Sequence, residues 1–378
     1  MAFTTELDEL LAEGAQPITR RPPAKPDVLF GAGLLGRSVL AGLRKAGVEP
    51  RAFADDTVSK QGTEVDGLPV MRPEQAASQF GATDWVVTIL NPEHRYLDSK
   101  RRLRGLGCRR VKSFLEVSLD YPETLLPYYQ FDLPDRVVSN PERLKTAFAL
   151  FDERSQRQFL DHLRFRLWLD HSALPPTSPD QYFSSDILPT LTSDITFVDC
   201  GAFTGNTLKR FLTWQSNEFR RVVAIEPDRQ NFEKLSANVH RMSVQVASRI
   251  ELHNIALGSR DGTTKFNGLG NMVANVDAAG SEEVAMRSLD QLLQLEKPTY
   301  IKFDIEGGER DALVGCQRIM REVEPLMAVS VYHKPDDLWE IPLYIHSINP
   351  SYRFHLSTEG TDGMDLICYA VPPTMGAA

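Results

Sequence analysis

The sequence lacks several features that would place it in a common class of protein. No apolar run in its 378 residues reaches the ~18–20 residues that a membrane-spanning helix requires. The four cysteines are scattered without a C-x-x-C pair, which favours reduced thiols over disulfides or a zinc site. The N-terminal segment MAFTTELDELLAEGAQ is acidic and amphipathic, unlike a secretory signal. We therefore expect a cytoplasmic protein.

Positive charge is also scarce. Lysine and arginine total 42 against 51 acidic residues, which gives a net charge of −9. This balance argues against a nucleic acid or an anionic membrane as the main partner. The composition, 42% hydrophobic and 25% charged, is that of an ordinary globular protein, and the length favours two domains.

The most informative segment predicts a strand, a glycine-bearing turn, a helix and a second strand. It runs from TFVDCGAFTGNT to RVVAIEPD, with Asp199 at the end of the first strand and Glu226 at the end of the second. Gly201 and Gly205 in the turn would let the backbone approach a ligand closely. A carboxylate at the second strand end can accept both hydroxyl protons of a ribose. The segment therefore predicts a nucleoside cofactor, with Asn206 at the start of the helix among its contacts.

The details of this turn indicate which nucleoside. The glycines do not follow G-x-G-x-x-G, and no Lys-Ser/Thr pair comes after them, so a P-loop is excluded. Asp199 would repel a pyrophosphate but would suit the cationic groups of S-adenosylmethionine. HNIALGSRDG (253–262) would place Asn254 and Ile255 beside the adenine. The alternative to a cofactor-binding turn is a turn with a purely structural role. For Glu226, the alternative to a ribose contact is a solvated acid at the start of a helix.

A second segment, YIKFDIEGGERDAL (300–313), brings acidic residues to the junction between a buried strand and a helix. These are Asp304, Glu306 and Glu309. Carboxylates favour helix N-termini in any case, which is sufficient to explain Glu309. Asp304 and Glu306 are candidate catalytic residues that would orient the substrate, and Asp304 would also contact the cofactor. A divalent metal is possible but not favoured, because no second ligand cluster is evident.

His333 ends the next strand, in AVSVYHKPDD. An imidazole at this edge could remove the proton of an attacking hydroxyl, so His333 is the candidate general base. The alternative is a histidine that is hydrogen-bonded to the backbone. Tyr182, in QYF just before the core strand, would either close over the site or simply pack.

A second glycine turn lies earlier in the chain. VLFGAGLLG places Gly31, Gly33 and Gly36 in a G-x-G-x-x-G pattern, and Asp55 and Asp56 follow at the spacing of a ribose-binding acid. Further strands are predicted over 84–90 and 110–117. We expect an N-terminal lead (1–25), a smaller Rossmann-like α/β domain (26–120), a helical connector (121–195) and a C-terminal domain (196–378).

The C-terminal domain is predicted to alternate strands and helices and then to end in two consecutive strands. Strands are predicted over 196–200, 221–226, 250–257, 299–305 and 325–332, followed by a hairpin of 352–358 and 366–372. A parallel sheet that ends in an antiparallel hairpin is typical of the seven-stranded, Rossmann-like sheet of class I methyltransferases.

Taken together, these segments resemble the FkbM family of S-adenosylmethionine-dependent methyltransferases over roughly residues 180–372. The resemblance implies O-methylation, often of sugars or polyketide hydroxyls. Cys200 stands where the family more often has valine. DERSQRQF and QYF are similar to bacterial members with an extended N-terminus, in which glycan biosynthesis is the usual context.

The GAGLLGR domain is similar to the nucleotide-sugar-binding domain of bacterial sugar acyltransferases. It would either bind a nucleotide-sugar through the backbone amides of the Gly31–Gly36 turn or serve as an inactive scaffold. Two alternatives to a methyltransferase remain. One is an NAD-dependent sugar-modifying protein, which needs a Tyr-x-x-x-Lys or similar hydride-transfer pair, and the other is a non-catalytic nucleotide-binding scaffold.

Overall fold

The N-terminal unit alternates short strands with helices. The computed structural model describes residues 2–16, 22–91, 93–184, 187–188, 194–267, 275–276 and 282–373. The first elements are α1 (Ala2–Gly14), β1 (Val28–Phe30), α2 (Leu34–Lys45), β2 (Ala52–Ala54), β3 (Glu64–Val65), β4 (Leu68–Met71), α3 (Pro73–Phe80), β5 (Asp84–Val87), α4 (Tyr96–Gly105), β6 (Arg110–Ser113) and α5 (Phe114–Ser118). The strands form a sheet in the order β3-β4-β2-β1-β5-β6, parallel except for the β3–β4 pair.

Alternate side chains of this sheet enter two separate apolar clusters. Leu29 of β1 belongs to one cluster, whereas its neighbours Val28 and Phe30 belong to the other. The strand is therefore buried on both faces, which explains why its sequence is a continuous apolar run.

The strand predicted over 110–117 is wrong in its second half. β6 ends at Ser113, whose hydroxyl accepts the backbone N–H of Glu116, while the Glu116 carboxylate accepts the backbone N–H of Ser113. This reciprocal pair is a capping box and starts helix α5, so the apolar residues that follow are helical. The strand predicted over 84–90 ends at Val87.

The connector is helical in its described part. Its elements are α6 (Pro122–Leu125), α7 (Asp135–Val138), α8 (Pro141–Phe148) and α9 (Glu153–Trp168). The predicted N-terminal lead contains α1, whose Leu7, Leu10 and Leu11 share an apolar cluster with Leu160 and Leu163 of α9. The amphipathic pattern of the first residues is thus satisfied by packing on the connector.

The C-terminal unit contains the larger sheet. Its elements are β7 (Thr196–Cys200), α10 (Asn206–Trp214), β8 (Arg221–Ile225), α11 (Arg229–His240), α12 (Val244–Ala247), β9 (Ile250–His253), β10 (Ala256–Leu257), β11 (Gly262–Asn267), β12 (Asn275–Val276), β13 (Glu282–Arg287), α13 (Leu289–Leu292), β14 (Tyr300–Phe303), α14 (Glu309–Val314), α15 (Gln317–Glu322), β15 (Leu326–Ser330), α16 (Asp337–Ile348), β16 (Arg353–Thr358) and β17 (Leu366–Val371).

The order of strands in this sheet is β16-β17-β15-β14-β7-β8-β9. β17 is antiparallel to both β15 and β16, and the other pairs are parallel. The α/β class with a Rossmann-like methyltransferase sheet is thereby confirmed, including the terminal hairpin. The chain leaves β7 in one direction through β8 and β9 and returns on its other side through β14. Such a reversal opens a crevice at the carboxyl ends of the strands.

No helix in the described ranges is both long and apolar enough to span a membrane.

Candidate active site

Strand register brings the predicted cofactor and catalytic segments together. Cys200 at the end of β7 pairs with Ile225 of β8 and with Phe303 of β14. The next residue of each strand therefore lies at one edge of the sheet: Gly201, Glu226 and Asp304. All three line a cavity of about 1110 Å³.

The turn after β7 needs its glycines. Gly201 has a φ of +85°, and a Cβ added there would overlap the carbonyl oxygen of Asp304. Gly205 has a φ of +95° and directly precedes α10, which begins at Asn206. Gly201 and Asn206 line the cavity, so the turn exposes its backbone to a ligand as predicted from sequence.

Glu226 is the best-placed cofactor-binding candidate. Its two carboxylate oxygens accept backbone N–H groups, one from Phe203 of the glycine turn at 2.8 Å and one from Asp228 at 2.9 Å. Burial raises the pKa of Glu226 to about 7, although these two amides favour the ionised form. A carboxylate can accept further hydrogen bonds, so lone pairs remain for a ribose diol.

Asn254, the predicted contact for adenine, is hydrogen-bonded to the backbone at the end of β8. Its side-chain amide donates to the backbone carbonyls of Glu226 at 2.8 Å and Pro227 at 3.0 Å, and so fastens the end of β8. Its neighbour Ile255 lines the cavity, together with Ala256. Ile255 and Ala256 thus present apolar surface to the cavity, and contact of Asn254 with adenine stays a prediction.

Asp199 is fully buried and does not appear among the cavity-lining residues of the described chain. Its Oδ1 lies 3.0 Å from Nζ of Lys302, which also donates to the backbone carbonyl of Gly201 at 2.8 Å. Burial acts to lower the pKa of Lys302, but the charges of Asp199 and Asp304 outweigh it and raise the pKa. Lys302 lines the cavity, and the sequence reasoning missed it. The available signal was a lysine within a strand of otherwise apolar residues.

Asp304 stands at the centre of the polar network. Its Oδ2 accepts the Tyr182 hydroxyl at 2.9 Å, and its Oδ1 accepts the Ser330 hydroxyl at 3.0 Å. Burial acts to raise the pKa of Asp304, but the positive charges of Lys302 and His333 lower it. Tyr182 is buried, so of the two expectations for it the packed arrangement is the one observed.

Glu306 lines the cavity beside Asp304. The Tyr129 hydroxyl from the connector donates to its Oε2 at 3.1 Å. Burial raises the pKa of Glu306 to about 7. Its φ of +53° is unusual for a residue with a side chain, and such strain concentrates at functional sites.

His333 lies behind these two carboxylates. Its Nδ1 is 2.8 Å from Oε1 of Glu309, and its Nε2 faces Asp304 and Glu306. Burial acts to lower the pKa of His333, but the three carboxylates raise it to about 10. The side chain is only 1% exposed. This placement argues against direct contact with an acceptor and against the predicted role of His333 as general base.

The N-terminal glycine turn has the geometry of its motif. Gly31 has a φ of +115°, and a Cβ on Gly36 would overlap the carbonyl oxygen of Gly31, which explains two of the glycines. A Cβ on Gly33 would meet no atom within 4 Å, so the backbone there is open to a ligand. Asp55 accepts the N–H of Ala32 at 2.8 Å and holds the turn.

The two glycine turns open into the same cavity. Its lining includes Gly33 and Asp55 from the N-terminal unit and Glu226, Asp304 and Glu306 from the C-terminal unit. No local pattern in the sequence indicates that the two turns share a cavity, because this depends on how the two sheets are placed relative to one another.

The chain contains a Tyr-x-x-x-Lys pair of the kind that the NAD-dependent alternative requires, but this pair does not lie at the cavity. Tyr96 and Lys100 have the Tyr-x-x-x-Lys spacing. The Tyr96 hydroxyl is engaged by Glu116 at 2.9 Å, and neither Tyr96 nor Lys100 lines the cavity of the described chain. This arrangement gives the pair a structural role and does not support a dehydrogenase.

Comparison with known proteins agrees with the geometry of the C-terminal unit. Residues 199–356 match the family described as the methyltransferase FkbM domain. The chain carries an FkbM methyltransferase domain. The predicted resemblance and the enzyme class are thereby confirmed. Comparison with curated proteins found no match for this FkbM-type methyltransferase.

The crystal structure of methyltransferase FkbM from Methylobacillus flagellatus KT resembles the chain over its whole length. The TM-score is 0.76 at 25% sequence identity, and 98% of each chain is covered. Two other matches are much weaker. Precorrin-6y C5,15-methyltransferase from Geobacter metallireducens has 14% identity and a TM-score of 0.32, covering 51% of this chain and 87% of that one. Aeropyrum pernix fibrillarin, solved with bound S-adenosylmethionine, has 13% identity and a TM-score of 0.30, covering 49% and 69%.

Proposed function

We propose that this FkbM-type methyltransferase transfers the methyl group of S-adenosylmethionine to a hydroxyl oxygen of a carbohydrate, nucleotide-sugar or related metabolite. The observation that carries the proposal is the single cavity in which Glu226 and the turn at Gly201 lie beside the carboxylates of Asp304 and Glu306. Such a site has a nucleoside-binding side and a hydroxyl-binding side.

The residues present fit S-adenosylmethionine, which would supply an electrophilic methyl group on its sulfonium. Glu226 would accept the ribose hydroxyls, and Ile255 would pack against the adenine. The ammonium of Lys302 lines the cavity and would attract the carboxylate of the methionine portion. Asp199, predicted as a direct contact, would instead act by holding Lys302.

The acceptor side is formed by two partly buried carboxylates that line the cavity. Asp304 and Glu306 would accept hydrogen bonds from acceptor hydroxyls, and one of them would take the proton as the oxygen attacks. Transfer requires the oxygen to lie in line with the bond between sulfur and the methyl carbon, so positioning by these residues would supply much of the rate. Tyr182 and Ser330 hold Asp304 in place for this purpose.

The N-terminal unit favours a nucleotide-linked sugar as the acceptor. The open backbone at Gly33 precedes α2, and a helix N-terminus with free N–H groups favours phosphate. Lys60 lies 3.0 Å from Asp55 at the same end of the cavity and adds positive charge. We propose that the nucleotide binds here and that its sugar extends toward Glu306. The alternative, a structural turn without a ligand, predicts no nucleotide binding.

Calorimetry of the full chain with S-adenosylmethionine and S-adenosylhomocysteine tests the cofactor proposal. Binding of one molecule per chain is expected, and Glu226→Gln should weaken it. Glu233→Gln is the matched control, because Glu233 pairs only with exposed Arg229 on α11. No binding by the wild type, or equal binding by Glu226→Gln, would refute the cofactor assignment.

The acceptor is tested by incubating the enzyme with methyl-labelled S-adenosylmethionine and a panel of nucleoside diphosphate sugars and free glycans. Mass spectrometry should show labelled methyl on the sugar of a nucleotide-linked acceptor. Substitution of Gly33 by Glu, which places a negative charge at the open turn, should abolish that reaction and leave S-adenosylmethionine binding unchanged. Methylation of free glycans alone would refute the role given to the N-terminal turn.

A further inference from the structure

We propose that Asp304, Glu306 and His333 bind a divalent metal ion at the acceptor side of the cavity. The ligand atoms would be Oδ1 of Asp304, Oε2 of Glu306 and Nε2 of His333. The sequence did not favour a metal because it showed only one cluster of acids. The structure adds the missing nitrogen ligand from the neighbouring strand, β15.

The distances in this cluster suit metal ligands better than hydrogen-bonding partners. Nε2 of His333 lies 3.5 Å from Oδ1 of Asp304 and 3.9 Å from Oε2 of Glu306. Hydrogen bonds between nitrogen and oxygen are typically ~2.7–3.2 Å long. Two ligands that each lie ~2.1 Å from one metal ion are roughly 3.0–3.5 Å apart at octahedral to tetrahedral angles. The separation between His333 and Asp304 reaches the upper end of this range, whereas the Glu306 carboxylate would have to move closer to complete the site.

A second observation points to a ligand at this position. Nε2 of His333 is buried, with the side chain 1% exposed, and it has no hydrogen-bond partner among the described residues although it faces both carboxylates. Buried polar atoms are normally paired, so an unpaired nitrogen aimed at two carboxylates requires an explanation. A cation between them would satisfy all three side chains.

Glu309 completes the arrangement from the other side of the ring. Its Oε1 lies 2.8 Å from Nδ1 of His333 and also accepts the backbone N–H of Ile305 at 2.8 Å. Histidines that bind metals usually donate their second ring N–H to a carboxylate, which fixes the tautomer and the ring orientation. Glu309 is fully buried. Orientation of His333 would explain why a carboxylate is buried at this position, in addition to its place at a helix N-terminus.

The ligand types indicate the metal and its use. Two carboxylates with one imidazole suit Mn²⁺ or a similar divalent cation, and the two negative charges balance that of the ion. Because Asp304 and Glu306 line the cavity, the remaining coordination positions would face the acceptor. An acceptor hydroxyl bound there would be more acidic, and its proton would pass to the second, uncoordinated carboxylate oxygen of Glu306 as the hydroxyl oxygen attacks the methyl carbon, so His333 need not act as a base.

Electron paramagnetic resonance of Mn²⁺ added to chelator-treated full-length protein tests the site without cofactor. We expect one bound Mn²⁺ per chain. Asp304→Asn and His333→Gln should each weaken binding at least tenfold. Glu309→Gln should weaken it ~10–100-fold through the orientation of His333. His253→Gln is the matched control, since His253 also lies beside a glutamate, Glu251, but on the outermost strand β9 and outside the residues that line the cavity in the described chain.

The wild type provides a readout that does not depend on any variant folding. Electron spin-echo modulation of the bound Mn²⁺ should show coupling to one imidazole nitrogen. Absence of that coupling, no Mn²⁺ binding, or equal binding by Asp304→Asn and the wild type would each overturn the proposal. None of these outcomes bears on S-adenosylmethionine binding, which calorimetry measures separately, so the two proposals fail independently.

Discussion

The ionisation of Glu226 should make cofactor binding depend on pH. Burial raises the pKa of this carboxyl to about 7, so it is protonated over much of the weakly acidic range. A protonated carboxyl keeps one hydroxyl donor of its own and accepts ribose protons poorly, whereas the carboxylate accepts both. Binding should therefore strengthen as pH rises through 7 and weaken as it falls.

The size of the effect follows from the pKa. A group with a pKa of about 7 is roughly 90% ionised at pH 8 and roughly 10% ionised at pH 6. If only the ionised form binds, affinity should fall ~10-fold over this range, which corresponds to ~1.4 kcal/mol. Loss of a hydrogen bond to a charged group costs ~1.5–3 kcal/mol, so Glu226→Gln should bind ~10–100-fold more weakly at pH 8.

Calorimetry with S-adenosylhomocysteine at pH 6, 7 and 8 and constant ionic strength measures both quantities. The ligand has an amino group that can titrate, and Glu226→Gln retains any pH dependence that comes from it. The difference between the two proteins isolates Glu226. The reasoning is refuted if wild type and Glu226→Gln show the same pH profile, or if wild-type affinity rises as pH falls.

Four further substitutions should separate structural from functional roles. Gly201→Ala should destabilise the protein by at least ~2 kcal/mol in urea unfolding, because its φ of +85° is unfavourable for alanine and the new Cβ would overlap backbone. Gly33→Ala, with open space around it, should cost less than ~1 kcal/mol in the same assay. Lys302→Met should cost ~3–5 kcal/mol in that assay, since it leaves Asp199 buried without its cation, and the double variant with Asp199→Leu should recover part of the loss. Tyr182→Phe should lower the methyl-transfer rate of the labelled assay more than cofactor affinity in calorimetry, because the lost hydrogen bond orients an acceptor-side carboxylate.

The sequence was sufficient for most of the C-terminal sheet because most of its strands are short apolar runs between polar turns. The strand predicted over 250–257 is wrong in its second half, since β9 ends at His253 and Ala256–Leu257 pairs with β13 in a separate sheet. Each strand end is marked by a residue with a special constraint. Gly201 needs a positive φ, and Glu226 follows a strand that Pro227 terminates. Local signals of this kind predict which residues reach the edge of the sheet. They do not predict the side-chain partners found there.

The surroundings of two predicted site residues depend on contact between residues distant in sequence. Asp199, predicted to contact the cofactor, forms a buried ion pair with Lys302 from β14. His333, predicted as the general base, faces carboxylates from the preceding strand end and is 1% exposed. The strand misassigned after Ser113 is different, since the capping-box pattern with Glu116 was legible in the sequence.

The two glycine turns have the same hydrogen-bonding pattern but different charges around them. This difference is relevant to which acceptor the cavity would bind. In each unit an acid at the second strand end accepts a backbone N–H of the turn: Asp55 from Ala32, and Glu226 from Phe203. Burial acts to raise the pKa of Asp55, but hydrogen bonds from Thr57, Ala32 and Lys60 lower it, and Lys60 also offsets its charge. The N-terminal turn therefore presents open backbone and an ammonium to an anion. At the other turn, the pKa of Glu226 is raised to about 7, and its carboxylate suits the hydroxyls of a ribose. The proposed nucleotide-linked acceptor would place its phosphate at the N-terminal turn, beside Lys60, whereas a neutral glycan would leave that turn without a ligand.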